Sequence, residues 1–182
     1  PSFYGRSFGM ELTSIVLYLG LALGGGGGVG LLLGGILANS VAKHNPMLPL
    51  IIGAVATAFA VPVALAILWV SSSTMSLWLV AVLALLWSVS NGPVIAAAQS
   101  VVLPQMRATA SAIIIFFTSV IGFGLGPICV GVVSDLLTPT FATESLRYAL
   151  MVPIALLPIM AILLWLSARQ LPHDLISHVN NV

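Results

Sequence analysis

The side chains that could carry out chemistry are few in this sequence, and its most apolar stretches contain no charged residue. The 182 residues include five Lys or Arg, four Asp or Glu, three His and one Cys. Cys129 and the scattered histidines give no metal-binding spacing, and the zinc-protease pattern H-E-x-x-H is absent. Cys129 lies in an apolar run and is expected to be a small buried hydrophobe. The sequence therefore predicts no catalytic residue, no metal and no cofactor.

Neutral polar residues in one apolar stretch are the strongest candidates for a binding role. Ser88, Asn91 and Gln99 project within an arc of about 80° if this stretch is a helix. An amide in hydrocarbon needs a hydrogen-bonding partner. Two interpretations stay open: these residues form hydrogen bonds between helices, or they line a substrate path. Pro93 removes one backbone hydrogen bond from the same stretch and is expected to kink it.

The next apolar stretch carries a second set of small and polar residues. Ser111, Thr118 and Gly122 share one face at helical spacing. A flexible patch follows, formed by Gly122, Gly124, Gly126 and Pro127.

Aromatic residues divide into two groups by their position. Tyr18 and Trp87 lie within apolar stretches and could contact a ligand, although such residues more often pack against other helices. Trp78 and Trp165 lie near the ends of apolar stretches, where aromatic belts form at the membrane interface.

Glycines dominate the first apolar stretch. Gly25, Gly27 and Gly30 match the dinucleotide pattern G-x-G-x-x-G, but that pattern requires a preceding strand and an aqueous face, which this apolar run lacks. Spacing by four residues instead predicts ridges that let two helix backbones approach closely in lipid. A static contact and a moving contact surface both stay open. The two ridges are Gly20, Gly24 and Gly28, and Gly26, Gly30 and Gly34.

Composition places these candidates in a membrane. Hydrophobic residues make up 60% of the chain and charged residues only 5%, and the mean hydropathy is +1.20. A soluble domain carries about 25% charged residues, so this chain has too few charged residues to cover a surface that faces water. The net charge of +1 does not indicate the basic surface that nucleic-acid binding requires. We therefore expect an all-α, multi-pass membrane bundle.

The distribution of charged and turn-forming residues predicts about five transmembrane helices in one domain over residues 1–182. A spanning helix needs about 20 apolar residues, and each predicted stretch supplies at least that many. Ser71 to Thr74 interrupts one long uncharged run, and Thr138 to Thr140 is expected to be a loop. The expected spans are 12–38, 47–70, 77–102, 108–133 and 146–167.

The basic residues suggest an orientation for these spans. Alternation places Lys43, Arg107 and Arg169 on one side and Arg6 and Arg147 on the other, so the first side is expected to be cytoplasmic. The chain starts with residues that look like the end of an earlier helix, which predicts a fragment of a longer protein.

The region 34–44 resembles the loop motif G-x-x-x-D-R-x-G-R-R of the major facilitator superfamily. Gly35 matches the glycine and Lys43 a basic position, whereas Asn39 and Ser40 replace the Asp and the Arg. In that family the acid caps a helix and pairs with basic residues. The two replacements predict a weaker charge latch, with Gly35, Asn39, Lys43 and Arg107 as the cytoplasmic loop set.

The region 104–135 is similar to helices 10 and 11 of bacterial spinster-like members of that superfamily, and residues 1–10 look like the end of their helix 7. The resemblance implies the C-terminal half of a two-half secondary transporter, running from the end of helix 7 to helix 12 and missing its N-terminal six-helix half. In such transporters a small solute binds between the halves and alternating access exposes it to each side.

On this resemblance, cavity-lining and gating residues can be assigned. The implied substrate-path residues are Tyr18, Ser88, Asn91, Gln99 and Thr118. The implied gating or close-contact residues are Gly24, Gly28, Gly30, Gly34, Pro93, Gly122, Gly124, Gly126 and Pro127.

The sequence therefore favours a non-enzymatic transporter of a small organic or amphipathic solute in a bacterial inner membrane. Its expected partners are the lipid bilayer, the missing half and the solute. The alternative is a membrane scaffold that transports nothing, or a membrane enzyme with an unrecognised site.

Overall fold

The computed structural model describes Tyr4, residues 11–42, Asn45, residues 47–141 and residues 144–180, without the side chains of 42 and 172–180. Within this part of the chain all regular structure is helical, and five helical stretches are long and apolar enough to cross a membrane. This confirms the predicted all-α membrane bundle. The elements are α1 (Leu12–Ala42), α2 (Leu48–Trp69), α3 (Ser73–Ser100), a 3-10 turn (Pro104–Met106), α4 (Arg107–Phe117), a π-helical segment (Thr118–Leu125), α5 (Gly126–Phe141) and α6 (Ser145–Asn180).

Capping residues set where these helices begin. The side chain of Asn45 accepts a hydrogen bond from the backbone N–H of Met47 at 3.0 Å, just before α2 starts. Pro49 lies in the first turn of α2, where its missing N–H breaks no helical bond. Ser72 caps α3 in an extended conformation, with its hydroxyl 3.5 Å from the backbone nitrogen of Met75. The α3 helix therefore begins at Ser73, earlier than the expected residue 77.

The segment around Pro139 is helical, whereas the sequence analysis expected a loop there. Helix α5 continues through Pro139 to Phe141. The hydroxyl of Thr138 donates to the carbonyl of Ser134 at 2.8 Å and lies 3.3 Å from the hydroxyl of Ser145 on α6. These bonds hold the last turn of α5 against α6, so that the loss of one backbone bond at a proline near a helix end does not terminate the helix.

The helices pack as a row rather than around a closed centre. Helix α3 packs against both α1 and α2, α2 packs against α6, and α6 packs against α5. Helix α2 is the most buried of them. One end of the row is α1, and the other is the long helix that α4, the π-helical segment and α5 form together.

A small apolar core joins α2 to α6 at one membrane side. Leu50 and Ala54 of α2 contact Leu164, Ala168 and Leu171 of α6. The small side chains bring the two helices close together.

Large apolar side chains elsewhere point outward. Phe59 is 63% exposed, Trp78 72% and Phe123 82%. Cys129 is exposed as well, contrary to its expected burial. An outer surface of this kind is stable only when the surrounding medium is itself apolar, as hydrocarbon is.

One glycine ridge of α1 lies directly on the backbone of α3. A methyl group at Gly30 would come within 2.9 Å of the Leu85 Cα, and one at Gly34 within 2.8 Å of the Val89 carbonyl oxygen. Gly26 meets α3 in the same way, one turn earlier. We call this contact the α1–α3 seam. It requires glycine because no side chain fits between backbones at this distance.

The second ridge of α1 meets nothing in the part of the chain that the structure describes. A methyl group at Gly20, Gly24 or Gly28 would have no atom within 4 Å. The two ridges therefore differ, since one is closed by α3 and the other is open.

The difference between the ridges predicts opposite effects of the same substitution. Gly30→Ala should destabilise the intact protein by about 1–2 kcal/mol, because overpacking outweighs the gain in helix propensity. Gly28→Ala should be neutral or stabilise by up to about 1 kcal/mol, because Ala favours a helix over Gly. Unfolding in detergent, followed by circular dichroism, measures both. Equal stability of the two variants would contradict a backbone contact at Gly30.

Candidate functional site

Asn91 is a partly exposed polar candidate on α3, and we call the face that it shares with Trp87 and Ile95 the Asn91 face. The Nδ2 of Asn91 donates to the carbonyl of Trp87, one turn earlier, at 3.0 Å. Among the described residues the side-chain carbonyl of Asn91 accepts no hydrogen bond, and the adjacent Trp87 and Ile95 are exposed. The donor is thus satisfied within the helix, whereas the side-chain oxygen is not used by the described chain.

Gln99 joins two helices instead of facing a cavity. Its Nε2 donates to the hydroxyl of Ser111 at 2.8 Å, and that hydroxyl donates to the carbonyl of Arg107 at 3.0 Å. The chain of bonds links the end of α3 to the start of α4 across the 3-10 turn. For Gln99 this geometry favours the role between helices, which the sequence left open.

Ser88 and Thr118 also lie apart from Asn91. Ser88 packs against the α1–α3 seam, where its Cβ would lie 2.9 Å from a methyl group at Gly30. The hydroxyl of Thr118 donates to the carbonyl of Ile114 at 2.8 Å and the side chain is exposed. Thr118 is the first residue of the π-helical segment.

The π-helical segment is a feature that sequence reasoning missed. Over Thr118–Leu125 the helix widens, and the backbone N–H of Gly126 bonds to the carbonyl of Ile121, five residues earlier. Pro127 follows at once and cannot donate a backbone bond, and its ring would clash with the carbonyl four residues before it. A wider turn relieves that clash. Pro127 after Gly122, Gly124 and Gly126 was the available signal, and such segments are frequent at functional sites.

Tyr18 lines a groove between α1 and α3 of about 720 Å³, bordered mostly by apolar side chains. Its phenol ring is about half exposed. None of Ser88, Asn91, Gln99 or Thr118 lines this groove. The structure therefore distributes the five candidates over separate places and does not bring them together in one cavity of the described chain.

Comparisons with known proteins bear on this row of helices. A protein of Mycolicibacterium smegmatis, named an MFS-type efflux pump, is 34% identical over 177 residues, which are 97% of this chain and 41% of that protein. No family model matches the sequence.

Two solved structures share the fold. Both are crystal structures of a bacterial homologue of the human lysosomal transporter Spinster, in inward-facing conformations. The unoccupied form has a TM-score of 0.82 and 21% identity, over 94% of this chain and 43% of that one. The occupied form has a TM-score of 0.79 and 23% identity, over 94% and 44%.

The chain resembles proteins of the major facilitator superfamily in sequence and in fold. It spans about two-fifths of the length of these relatives. The resemblance to that superfamily and the spinster-like architecture that the two motif regions indicated are both confirmed, and the chain is a multi-pass membrane protein in a lipid bilayer.

The loop motif of the superfamily is only partly described. Gly35 has open space around its Cα, and Asn39 is exposed in the last turns of α1. Lys43 lies outside the described residues. Arg107 is exposed at the start of α4 and forms no ion pair within the described chain. The weakened charge latch that the loop motif implies stays a prediction.

Two clusters of hydroxyl groups hold the helices together, and sequence reasoning did not single them out. Ser90 on α3 and Thr57 on α2 both donate to the carbonyl of Gly53, at 3.1 and 2.8 Å. The hydroxyl of Ser134 on α5 lies 3.3 Å from that of Ser145 on α6. All four side chains are buried. The sequence did contain a signal for these clusters. Ser and Thr within apolar spans typically form hydrogen bonds to neighbouring helices.

Charged groups contribute little to the described surface. Glu144 and Arg147 form an ion pair of 2.6 Å at the start of α6. No group of three or more His, Cys, Asp or Glu that could hold a metal occurs among the residues that the structure describes.

Proposed function

We propose that this chain is the C-terminal half of a secondary active transporter that moves a small organic or amphipathic solute by alternating access. In this proposal α1, α2, α3, the α4–α5 helix and α6 are helices 8 to 12, and Tyr4 belongs to the end of helix 7. The observation that carries the proposal is the open row of helices, with a glycine-rich helix at each end and the fold of a transporter half.

The two ends of the row are the surfaces that a second half would meet. Gly20, Gly24 and Gly28 lie on the open side of α1, and Gly122 on the other end has no atom within 4 Å of an added methyl group. Helix surfaces without side chains let another helix approach closely and slide. A scaffold whose contacts never change has no need of two such open surfaces.

A path for solute fits the Asn91 face of α3. The polar acceptor of Asn91 lies beside exposed apolar surface at Trp87 and Ile95, about 7 Å along the axis from the middle of the helix. Substrates of such transporters bind near the membrane midplane, between the halves. A neutral amide among apolar side chains suits an uncharged or amphipathic solute better than a compact ion.

The π-helical segment suits a gating role. Its backbone bonds join residues five apart instead of four, a rare geometry that is found mostly as short segments, and Gly122 and Gly124 weaken the helix further. Bending there would move the two ends of the α4–α5 helix relative to each other.

The name of the curated relative, an efflux pump, favours outward transport. We place the protein in a bacterial inner membrane with Arg107 and Arg169 in the cytoplasm, following the distribution of basic residues.

Flux through the intact protein tests the proposal. Everted vesicles from cells that express the full gene should accumulate a fluorescent amphipathic dye when energised. Gly122→Leu should slow this flux by about tenfold, or 1.4 kcal/mol in the barrier, because the side chain blocks the open face of the π-helical segment. The matched control is Gly131→Leu, which also meets open space but lies outside that segment. Absence of flux with a broad panel of solutes would favour a scaffold.

The Asn91 face gives a second test. In the intact protein with Cys129→Ser, a cysteine placed by Asn91→Cys should react with small polar thiol reagents, and an added substrate should protect it. The adjacent Ser90→Cys is the control, because Ser90 is 2% exposed and should not react. If Asn91→Cys is unreactive in both inward- and outward-facing states, Asn91 contacts protein instead of solute.

A further inference from the structure

The Asn91 face of α3 lies between the contacts that this helix makes with α1 and with α2. At about 100° per residue, Ala81 and Val89, which meet glycines of α1, lie about 80° and 160° from Asn91. On the other side Val94, which packs against the α2–α6 core, and Ser90, which bonds to α2, lie about 60° and 100° from it. These contacts leave an arc of about 140° on the helix surface, and Asn91 lies near its centre.

Two large apolar side chains flank the amide on this face. Trp87 and Ile95 lie one turn before and one turn after Asn91, about 40° to either side of it, and they are 46% and 37% exposed. Close helix contacts in the described bundle are made at glycines instead, as at Gly30 in the α1–α3 seam and at Gly53 on α2. Side chains as large as Trp and Ile hold a neighbouring helix away, which leaves room for a small molecule beside the amide.

The amide oxygen determines which group this face can recognise. The Nδ2 of Asn91 donates to the carbonyl of Trp87, and the side-chain oxygen is not used by the described chain. Hydrocarbon supplies no donor to match this acceptor, so a lipid chain is a poor occupant. No charged residue occurs between Lys43 and Arg107 to balance a full charge on a solute. A neutral N–H or O–H group is therefore the best match.

The ring of Trp87 adds a preference for a flat aromatic body. Trp87 lies about 1 Å along the axis from the middle of α3, so its ring is close to the centre of the span. Aromatic rings attract each other in stacked or edge-to-face arrangements beyond the gain from burial alone. The ring and the amide are one helical turn apart, about 5 to 6 Å, which a solute of one or two fused rings can span.

We propose that Trp87 and Asn91 together recognise a neutral aromatic solute that carries an N–H or O–H donor. The ring of the solute stacks on Trp87, and its donor binds the side-chain oxygen of Asn91. This inference rests on the proposed function, in which the Asn91 face borders the solute path, and it adds the chemical class that the path selects.

Indole and N-methylindole test the role of the donor in the intact protein. Both probes are neutral and similar in size, but only indole has an N–H donor. In a Cys129→Ser background, Ile95→Cys should react with a small polar thiol reagent, and indole should slow this reaction. N-methylindole should require about tenfold higher concentration, corrected for partition into lipid, because it leaves the acceptor unmatched. Both probes are compared on one protein, so the result does not depend on the folding of a further variant.

Variants at the two residues separate the donor from the ring. Asn91→Leu should abolish the difference between the probes. Trp87→Leu should weaken protection by both probes about fivefold and preserve their ratio, because stacking does not depend on the donor. Trp165→Leu is the matched control, because this Trp is 41% exposed but lies on α6, and it should change neither value.

Three results would overturn the proposal. Equal protection by the two probes would show that Asn91 does not select a donor, and protection by neither would show that the face binds no such solute. An Ile95→Cys protein that stays unreactive in inward- and outward-facing states would show that protein covers the face. Dye flux can persist in each case, so the donor site and the transport proposal fail separately.

Discussion

Hydrocarbon offers no hydrogen-bonding partner, and this constraint governs the described structure from backbone to side chain. Every backbone group in a span must be satisfied within its own segment, which long helices achieve. The same constraint explains the hydroxyls and amides. Thr118 bonds to the carbonyl one turn earlier, as the Asn91 amide does, and Ser90 bonds across to the carbonyl of Gly53. Polar side chains in these spans therefore either bond back to their own helix or join two helices.

Without a hydrophobic force between helices in lipid, contact depends on how closely backbones can approach. The α1–α3 seam meets this requirement with Gly26, Gly30 and Gly34. The opposite ridge of α1 has the same composition and no neighbour in the described chain, so composition alone does not decide what a glycine ridge touches. One helix can therefore be fixed on one side and free on the other. In the proposed transporter, this combination lets the chain keep its own fold on one side of the helix and move against a second half on the other.

The sequence was sufficient for the features that depend on solvent and charge. Uncharged runs between Glu11, Lys43 and Arg107 located the first three spans, and the region 104–135 pointed to the family.

The sequence was insufficient for features that depend on which residues become neighbours in the folded chain. Gln99 shared an arc with Asn91 at helical spacing, but the turn after α3 brings Ser111 within 2.8 Å of it. Thr138 suggested a loop by its type, and its bonds to α6 keep the segment helical. The π-helical segment arises from Pro127 acting on preceding residues, which periodicity does not reveal.

The central claim is that hydrocarbon, and not water, surrounds these helices. Spin labels at Phe59 and Leu163 of the intact protein in lipid vesicles test it directly, because these side chains are exposed on two different helices. Oxygen partitions into the bilayer, whereas a nickel chelate stays in water. The account predicts strong relaxation of both labels by oxygen and little by the chelate. Strong relaxation by the nickel chelate at these positions would contradict a membrane-spanning bundle.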